Sequence, residues 1–320
     1  MADPPRRGRP SAPTLIVPPP LPPVDLPNLD INIRQLAAVT SSVFDCMRWL
    51  AEHCLITNTF SCQACDQTMR LQKREGRDYI HGCVWCCPGC QRRNSITIRL
   101  NSFFEGSHLQ LLQILDVVYW WCRNLRQVHV MQETGVSKKT VIDWQNYIRD
   151  ICAQYVIDHH VQLGGRNRTV EIDESKFMHR KYNRGRFRQG QWVLGMIERE
   201  TDNCCLKPVD DRSACTLLPI IQQHVLPGTR IVTDQWAAYN ALPNHASGNH
   251  LLHFVDPNND TVHTNQIEGC WAHAKSKFRA MHGSSDDLFL TYIQEFMWRK
   301  QHKTNIFGNM LYWISFYYQF

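Results

Sequence analysis

Cysteine spacing is the sequence feature that most constrains the fold of this chain. Eight of the fourteen cysteines lie between positions 46 and 90, and four of them form the pairs Cys62-x-x-Cys65 and Cys87-Pro-Gly-Cys90. A C-x-x-C loop brings two thiolates to about 2.3 Å from one tetrahedral zinc ion. Two such loops, joined by a turn-prone polar segment, predict a zinc ribbon with these four cysteines as ligands of a structural Zn²⁺.

A rival second pair leaves the ligand set open. Cys83-x-x-Cys86 has the same spacing as Cys87-x-x-Cys90. We favour Cys87 and Cys90 because the Pro-Gly between them suits a tight turn, which would leave Cys83 and Cys86 on the preceding strand. Buried free cysteines are the remaining alternative.

Length and composition limit the classes of protein to consider. The 320 residues exceed one typical domain, and 43% hydrophobic with 20% charged residues excludes a wholly disordered, collagen-like or coiled-coil chain. The longest apolar stretch, residues 109–122, is interrupted by polar side chains and is too short to span a membrane, so no membrane partner is expected. The N-terminus lacks the layout of a secretory signal, which predicts an intracellular, reducing environment.

Residues 1–28 are predicted to be a disordered tail, because they hold ten of the sixteen prolines. Within the tail, the segment Arg6-Arg7-Gly-Arg9-Pro resembles an AT-hook core, whose arginines enter the A·T minor groove of DNA. A solvated basic tail or a nuclear-import patch is the alternative interpretation.

The next two segments are assigned as a helix plus the zinc ribbon (29–106) and a helical DNA-binding region (107–162). A helix over about 125–133 ends at Gly135, and Ser137 then opens a longer helix with apolar residues at steps of three and four. This pattern indicates a helix-turn-helix, with Lys138, Lys139 and Thr140 at the end that enters the major groove. Any helical hairpin has a similar pattern, so the motif alone leaves that alternative open.

From residue 168 the hydrophobic period changes to that of strands. Strands are predicted at 169–174, 191–197, 204–209, 229–233 and 250–255, with a helix at 213–224 between the third and the fourth. This order predicts a mixed-sheet α/β domain. The turn between the first two strands is strongly basic and is a candidate phosphate-binding segment: Lys176, Arg180, Lys181, Arg184, Arg186 and Arg188.

Three acids in this region are candidates for metal chemistry. Asp173 lies within the first strand, Asp234 directly follows the fourth, and Glu268 lies on a predicted helix with Lys275 two turns later. Carboxylates gathered at one place repel one another unless cations neutralise them. Two Mg²⁺ or Mn²⁺ ions held by such acids support in-line phosphodiester displacement. Taken singly, each acid is also compatible with an ordinary surface carboxylate.

An ordered set of motifs carries a family resemblance. The motifs are Glu171-Ile-Asp173-Glu174-Ser-Lys176, Trp192-Val-Leu-Gly195, Leu218-Pro-Ile-Ile221, His224-Val-Leu-Pro227-Gly228-Thr, Thr233-Asp234-Gln-Trp236-x-x-Tyr239, Phe254-Val-Asp256-Pro and His263-Thr-Asn265-Gln-Ile-Glu268-Gly-x-Trp271. Together they resemble the Merlin superfamily of DNA transposases and similar bacterial insertion-sequence transposases. The resemblance covers roughly residues 45–318.

The resemblance implies a ribonuclease H-like catalytic core, assigned to 163–283, with C-terminal helices (284–320) packing on it. It implies an Asp-Asp-Glu triad of Asp173, Asp234 and Glu268, with Lys275 as the basic residue after the Glu. The implied activity is cut-and-paste transposition in the nucleus, on terminal inverted repeats and target double-stranded DNA, by a homo-oligomer of at least two chains. The alternatives are a domesticated, transposase-derived DNA-binding protein without mobilising activity and a zinc-ribbon scaffold protein whose acids are structural.

Overall fold

The computed structural model describes residues 12–21, 24–74, 76, 80–90, 95–178, 190–247, 263–281 and 283–319. The chain divides into two compact units, Met1–Ile148 with Thr304–Phe320 and Arg149–Lys303. Among the described residues, no helix combines the length and the apolar character needed to cross a bilayer. Several predicted features lie outside the described residues: the strand at 250–255 and the candidate DNA contacts Arg6, Arg7, Arg9, Arg180, Lys181, Arg184, Arg186 and Arg188.

The first unit combines helices with a small antiparallel sheet of order β1-β2-β3. Its strands are β1 (Arg70–Lys73), β2 (Cys83–Cys86) and β3 (Ser95–Ile96), and its helices are α1 (Ile33–Val39), α2 (Val43–Glu52), α3 (Leu111–Cys122), α4 (Gln127–Thr134) and α9 (Ile306–Tyr317). Helix α5 (Lys138–Asp158) begins in this unit and ends in the second. The antiparallel hairpin of β1 and β2 is the one that the cysteine spacing predicts.

Part of the predicted tail is packed rather than disordered. Ile16 and Val17 are buried, and Asn58 holds Val17 by two bonds, from Val17 N to Oδ1 at 2.7 Å and from Nδ2 to Val17 O at 3.0 Å. The carbonyl of Pro13 accepts the N–H of Leu71 at 2.8 Å. An extended, proline-rich segment leaves its carbonyls unpaired, so neighbouring donors can capture them.

The last helix, α9, belongs to the first unit, whereas the sequence analysis expected both C-terminal helices to pack on the catalytic core. It packs against the short 3-10 helix Leu26–Asn28 so closely that a Cβ on Gly308 would lie 2.2 Å from the carbonyl oxygen of Leu26. Phe307 also packs edge-on against Tyr119 of α3, with ring centroids 5.1 Å apart. Its partners are therefore residues distant in sequence, which periodicity cannot identify.

The second unit is built on a five-stranded mixed sheet of order β10-β9-β5-β6-β7. Its sheet strands are β5 (Thr169–Phe177), β6 (Gln191–Glu198), β7 (Cys204–Val209), β9 (Arg230–Thr233) and β10 (His245–Ser247), and its helices are α6 (Ala214–His224), α7 (Asn265–Ala280) and α8 (Asp286–Gln301). A separate parallel pair joins β4 (Leu163–Gly164) and β8 (Val225–Leu226). Strands β5, β6 and β7 are antiparallel, while β9 and β10 run parallel to β5.

Alternation along β5 separates the two faces of this sheet. Val170 and Ile172 point into an apolar cluster that includes Leu217 and Ile221 of α6. The alternate residues point to the opposite face, where α7 lies. Even-numbered residues of β5 therefore face the apolar cluster, and odd-numbered residues face α7.

Helices α7 and α8 are joined by a buried ion network. Glu295 of α8 is fully buried, and it pairs with Lys277 of α7 and, at 2.9 Å, with Arg299 one turn later. Burial alone would raise the pKa of Glu295, but the charges and hydrogen bonds of the two cations outweigh it, and the pKa is lowered. The network fixes α8 to the helix that covers the sheet.

Candidate functional site

Two carboxylates lie side by side where the inner strands β5 and β9 pair, Asp173 within β5 and Asp234 directly after β9. The parallel register pairs Glu171 with Val232, so two further steps place Asp234, the residue after β9, beside Asp173. Asp173 is partly buried, and burial is the main reason why its pKa is raised to about 6. The negative charge of Asp234 contributes to the rise. The structure thus brings together two acids that lie 61 positions apart in the sequence.

Each carboxylate is oriented by a directional hydrogen bond. The indole Nε1–H of Trp271 on α7 donates to Asp173 Oδ2 at 2.9 Å, and this bond opposes the rise in the pKa of Asp173. The backbone N–H of Trp236 donates to Asp234 Oδ1 at 3.0 Å, forming a turn directly after β9. Both acids are therefore held in place before any ligand arrives.

Glu171 sets the position of α7, a role that the sequence analysis did not give it. Its carboxylate is buried, and Oε2 accepts the backbone N–H groups of Gln266 and Ile267 at 2.9 Å each. Oε1 accepts from Nε of Arg199 at 2.7 Å. The first N–H groups of a helix have no partner within the helix, so this carboxylate caps α7 from the neighbouring strand.

A glycine allows α7 to approach the sheet. Gly195 on β6 is the register partner of Asp173 and lies on the same face. A Cβ at this position would lie 2.4 Å from Cζ2 of Trp271 and 3.0 Å from Cδ1 of Ile267. The absence of a side chain at Gly195 is what lets Trp271 reach Asp173.

Glu268, the third predicted acid, lies in the first turn of α7 and is exposed. Its Oε1 accepts the hydroxyl of Thr264 at 3.4 Å. It precedes Trp271 by three residues, so it lies one helical turn from the residue that touches Asp173. Asn265, one turn earlier, is exposed as well.

The two predicted lysines of this region, Lys275 and Lys176, lie on opposite faces of the sheet. Lys275 donates to Ser175 Oγ at 2.5 Å and lies over the ring of Phe177, so it faces β5. Lys176, on the opposite face, lies 5.4 Å from the ring centroid of Trp192. Lys176 is the one residue of the predicted basic turn that lies within the described residues.

Three further side chains contact one another on the other face of β5, and sequence reasoning gave them no role. Glu174 is buried, accepts the hydroxyl of Tyr239 and pairs with Arg212 at 2.9 Å. The sequence signal for Tyr239, which is fully buried, is its place in the motif Thr233-Asp234-Gln-Trp236-x-x-Tyr239. No local sequence pattern predicts the contact of Arg212 with Glu174.

The four cysteines of the predicted ribbon form one cluster. In the described residues, Cys62, Cys65, Cys87 and Cys90 are the only group of three or more Cys, His, Asp or Glu whose ligand atoms all lie within 4.8 Å of one another. Two of the sulfur–sulfur distances are 3.4 Å and 4.0 Å. Tetrahedral zinc with bonds of about 2.3 Å spaces its sulfur ligands about 3.8 Å apart, so the donor set fits one structural Zn²⁺.

The rival cysteines have other contacts. Cys83 and Cys86 lie on β2, as expected if they are not ligands. Cys83 Sγ lies 3.4 Å from Met47 Sδ, and Cys86 Sγ lies 3.9 Å from Nη2 of Arg74. By contrast, the N–H of Cys90 donates to Cys87 Sγ at 3.3 Å, a contact within the second C-x-x-C loop.

The segment predicted to be a helix-turn-helix contains two consecutive helices, α4 and α5. Helix α4 ends at Gly135, which has a left-handed φ of 66°, and Ser137 Oγ accepts the N–H of Thr140 at the start of α5. Lys138 and Lys139 are exposed on that first turn. Their side chains are accessible to a phosphate backbone.

Comparison with known proteins gives a family match to the second unit. A family model described as ISXO2-like transposase domain matches residues 162–301. An uncharacterized transposase-like protein of Haemophilus influenzae is 33% identical over 95 residues, which cover 28% of this chain and 75% of that protein.

Two other matches have lower sequence identity. Male abnormal protein mab-31 of Caenorhabditis elegans is 26% identical over 185 residues, or 52% of this chain, and the chain spans 42% of that protein. A solved simian T-cell lymphotropic virus intasome in complex with PP2A regulatory subunit B56 gamma aligns with 57% of this chain and 67% of its own at 12% identity and a TM-score of 0.28. A TM-score of this size carries no structural argument.

Proposed function

Because the chain belongs to the transposase family represented by the ISXO2-like domain, we propose that it is a cut-and-paste DNA transposase of the Merlin superfamily. The observation that carries the proposal is the pair Asp173 and Asp234 beneath α7, the helix that bears Glu268. The order of the mixed sheet supports a ribonuclease H-like core, and so does the position of the acids on two adjacent inner strands, Asp173 within β5 and Asp234 directly after β9. The domesticated alternative is not favoured by the family match.

Asp173, Asp234 and Glu268 would hold two Mg²⁺ or Mn²⁺ ions. The donor chemistry fits, because carboxylate oxygens are the ligands these hard cations prefer. In the described residues the three acids do not form a group whose ligand atoms all lie within 4.8 Å of one another, so ion binding would have to draw them together. When bound, two such ions stabilise both the attacking and the leaving oxygen of a phosphodiester displacement. The chain supplies the orientation, through Trp271 for Asp173 and the turn at Trp236 for Asp234.

DNA binding is assigned to the first unit and to the basic turn. The cysteine cluster would hold a structural zinc, and the exposed Lys138 and Lys139 at the start of α5 would contact the terminal inverted repeats. Phosphate contacts of this kind supply affinity and register. Two element ends must be held together for joining to target DNA, so we propose a homo-oligomer of at least two chains, acting in the nucleus.

Nicking of a supercoiled plasmid by the full chain tests the proposal. We expect nicking that requires Mg²⁺ or Mn²⁺ and that falls about 100-fold or more in Asp173→Asn and Asp234→Asn, the scale on which loss of one electrostatic contact to a reacting group is felt. Duplex binding should survive in both variants. Asp287→Asn, an exposed acid in the first turn of α8, is the matched control and should nick normally. A wild-type chain that binds duplex DNA but never nicks it would favour the domesticated protein instead.

A further inference from the structure

Beside the acid pair, cations and indole rings alternate in a row, here named the Trp–Arg ladder: Lys176, Trp192, Arg212 and Trp236. Lys176 Nζ lies 5.4 Å from the ring centroid of Trp192. The guanidinium carbon of Arg212 lies 4.9 Å from the ring centroid of Trp192 and 4.4 Å from that of Trp236. Each neighbour is within the distance of a cation–π interaction.

The end of the ladder at Trp236 is held rigidly. Its indole Nε1–H donates to the carbonyl of Arg212 at 3.1 Å, and its backbone N–H donates to Asp234. Arg212 is itself fixed, because Nη2 and Nε both donate to the buried Glu174, at 2.9 Å and 3.2 Å. Since Glu174 neutralises Arg212, the guanidinium serves to orient the indole more than to attract phosphate.

Trp236 is nevertheless accessible. All ten tryptophans are among the described residues, and Trp236 is the most exposed of them, with 42% of its surface exposed. Exposing a large aromatic surface forgoes the free energy of its burial. A tryptophan that is both fixed and exposed is a ready platform for a flat ligand.

The position of Trp236 indicates which flat ligand that is. It follows Asp234 by two residues, so it lies next to the place where a DNA strand would be cut. Bases within a duplex are stacked on one another, and a base must leave the stack before a protein ring can pack on it.

We propose that Trp236 stacks an unpaired nucleobase adjacent to the cleaved phosphodiester, with Lys176 contributing positive charge at the other end of the ladder. This inference rests on the proposed function, because it takes the acid pair as the place of cleavage. The strand ends that this chain recognises would therefore be locally unpaired when bound.

Binding of short DNA probes to the full chain, without Mg²⁺ or Mn²⁺ so that no strand is cut, tests the inference. The two probes are the same duplex with a single-stranded overhang that either carries its bases or is abasic. The wild type should bind the base-bearing overhang about fivefold or more tightly, as expected for one stacked base. Trp236→Ala should bind both overhangs equally, and Trp236→Phe should retain part of the preference.

Controls make each outcome decisive. Leu290→Ala removes another exposed apolar side chain of the same unit, 46% exposed on α8, and should keep the wild-type preference. Binding of the blunt duplex should be equal in all variants, which shows that they are folded. The inference would be wrong if the wild type showed no preference for the base-bearing overhang. It would also be wrong if Trp236→Ala bound both overhangs more weakly by the same factor and so kept the wild-type preference. If either of these results is found and the wild type still nicks plasmid DNA, the inference about Trp236 fails while the proposed function is retained.

Discussion

Replacing Gly195 by alanine tests whether the close approach of α7 to β6 positions the acid pair. The added Cβ would lie 2.4 Å and 2.5 Å from Cζ2 and Cη2 of Trp271, closer than unstrained carbon atoms come. Trp271 is buried and hydrogen-bonded to Asp173, so it cannot turn away without breaking that bond. Overpacking of this kind costs about 1–3 kcal/mol, and losing a hydrogen bond to a charged group costs about 1.5–3 kcal/mol.

Thermal unfolding and plasmid nicking measure the two consequences. For a domain of this size each kcal/mol lowers the melting temperature by about 2–4 °C, so Gly195→Ala should melt several degrees below the wild type. Nicking should fall even at temperatures where the variant is folded, because Asp173 loses its orienting donor and α7 is displaced. Duplex binding should be retained.

Gly269→Ala is the matched control. This glycine lies on α7 next to Glu268, and a Cβ there would meet no atom within 4 Å. Alanine in a helix interior is favoured over glycine by about 0.5–1 kcal/mol, so the control should be slightly stabilised and active. Adding Trp271→Phe to Gly195→Ala should restore part of the stability, because it removes the clashing atoms. A Gly195→Ala chain that melts and nicks like the wild type would refute the reasoning.

Three other predictions concern separate parts of the chain. Native mass spectrometry should count one zinc per chain, lost in Cys87→Ser and kept in Cys83→Ser, because only the first thiol lies in the cysteine cluster; the reverse result would reassign the ligands. Glu295→Gln should destabilise the fold by about 1.5–3 kcal/mol in denaturant unfolding, because it removes the charged partner of the mostly buried Arg299 and of the partly exposed Lys277. The pKa of Glu295 is lowered by folding, so this stabilisation is present above the unfolded value and is lost as the pH falls through the folded value; a difference that grows on acidification would contradict the ion network. Replacing Lys138 and Lys139 together by alanine should reduce the slope of log affinity for duplex DNA against log salt by about 2, and an unchanged slope would remove both from the interface.

The parts of the site that could be predicted from the sequence are those with a local signal. Asp173 and Asp234 stand out because the first lies within a predicted strand and the second directly follows one, and strand alternation is visible within a few residues. The C-x-x-C loops are equally local, and the structure gathers the four preferred cysteines. The strands at 169–174, 191–197, 204–209 and 229–233 match β5, β6, β7 and β9 to within a few residues.

The remaining features depend on register and long-range packing. The cap that Glu171 gives to α7 joins residues 95 and 96 positions apart, and the contact of Arg212 with Glu174 spans 38. Neither contact has a pattern that a window of residues can show. The placement of α9 is similar, since what receives it is the 3-10 helix Leu26–Asn28 near the other end of the chain.

Glu171 offers the last test, because it connects the strand of one acid to the helix of another. It lies two residues before Asp173 on the same face of β5 and caps the helix that carries Glu268. Glu171→Gln removes the charge that faces Arg199 and weakens the cap, so α7 should shift relative to Asp173. Glu198→Gln is the matched control, since Glu198 is also buried, pairs with Arg168 and accepts a backbone N–H from Gly164 at 2.6 Å, yet caps no part of α7.

Both variants should lose stability. Breaking the buried Glu171–Arg199 pair costs about 3–5 kcal/mol, and breaking the Glu198–Arg168 pair costs less because the Arg168 side chain is 44% exposed. The expected difference is in plasmid nicking below the melting temperature of either variant, which should fall in Glu171→Gln and persist in Glu198→Gln. Equal nicking by the two folded variants would show that capping by Glu171 stabilises the fold without setting the distance between the helix and the acid pair, and the position of Glu268 would then have to be fixed by the packing of Trp271 on Gly195 alone.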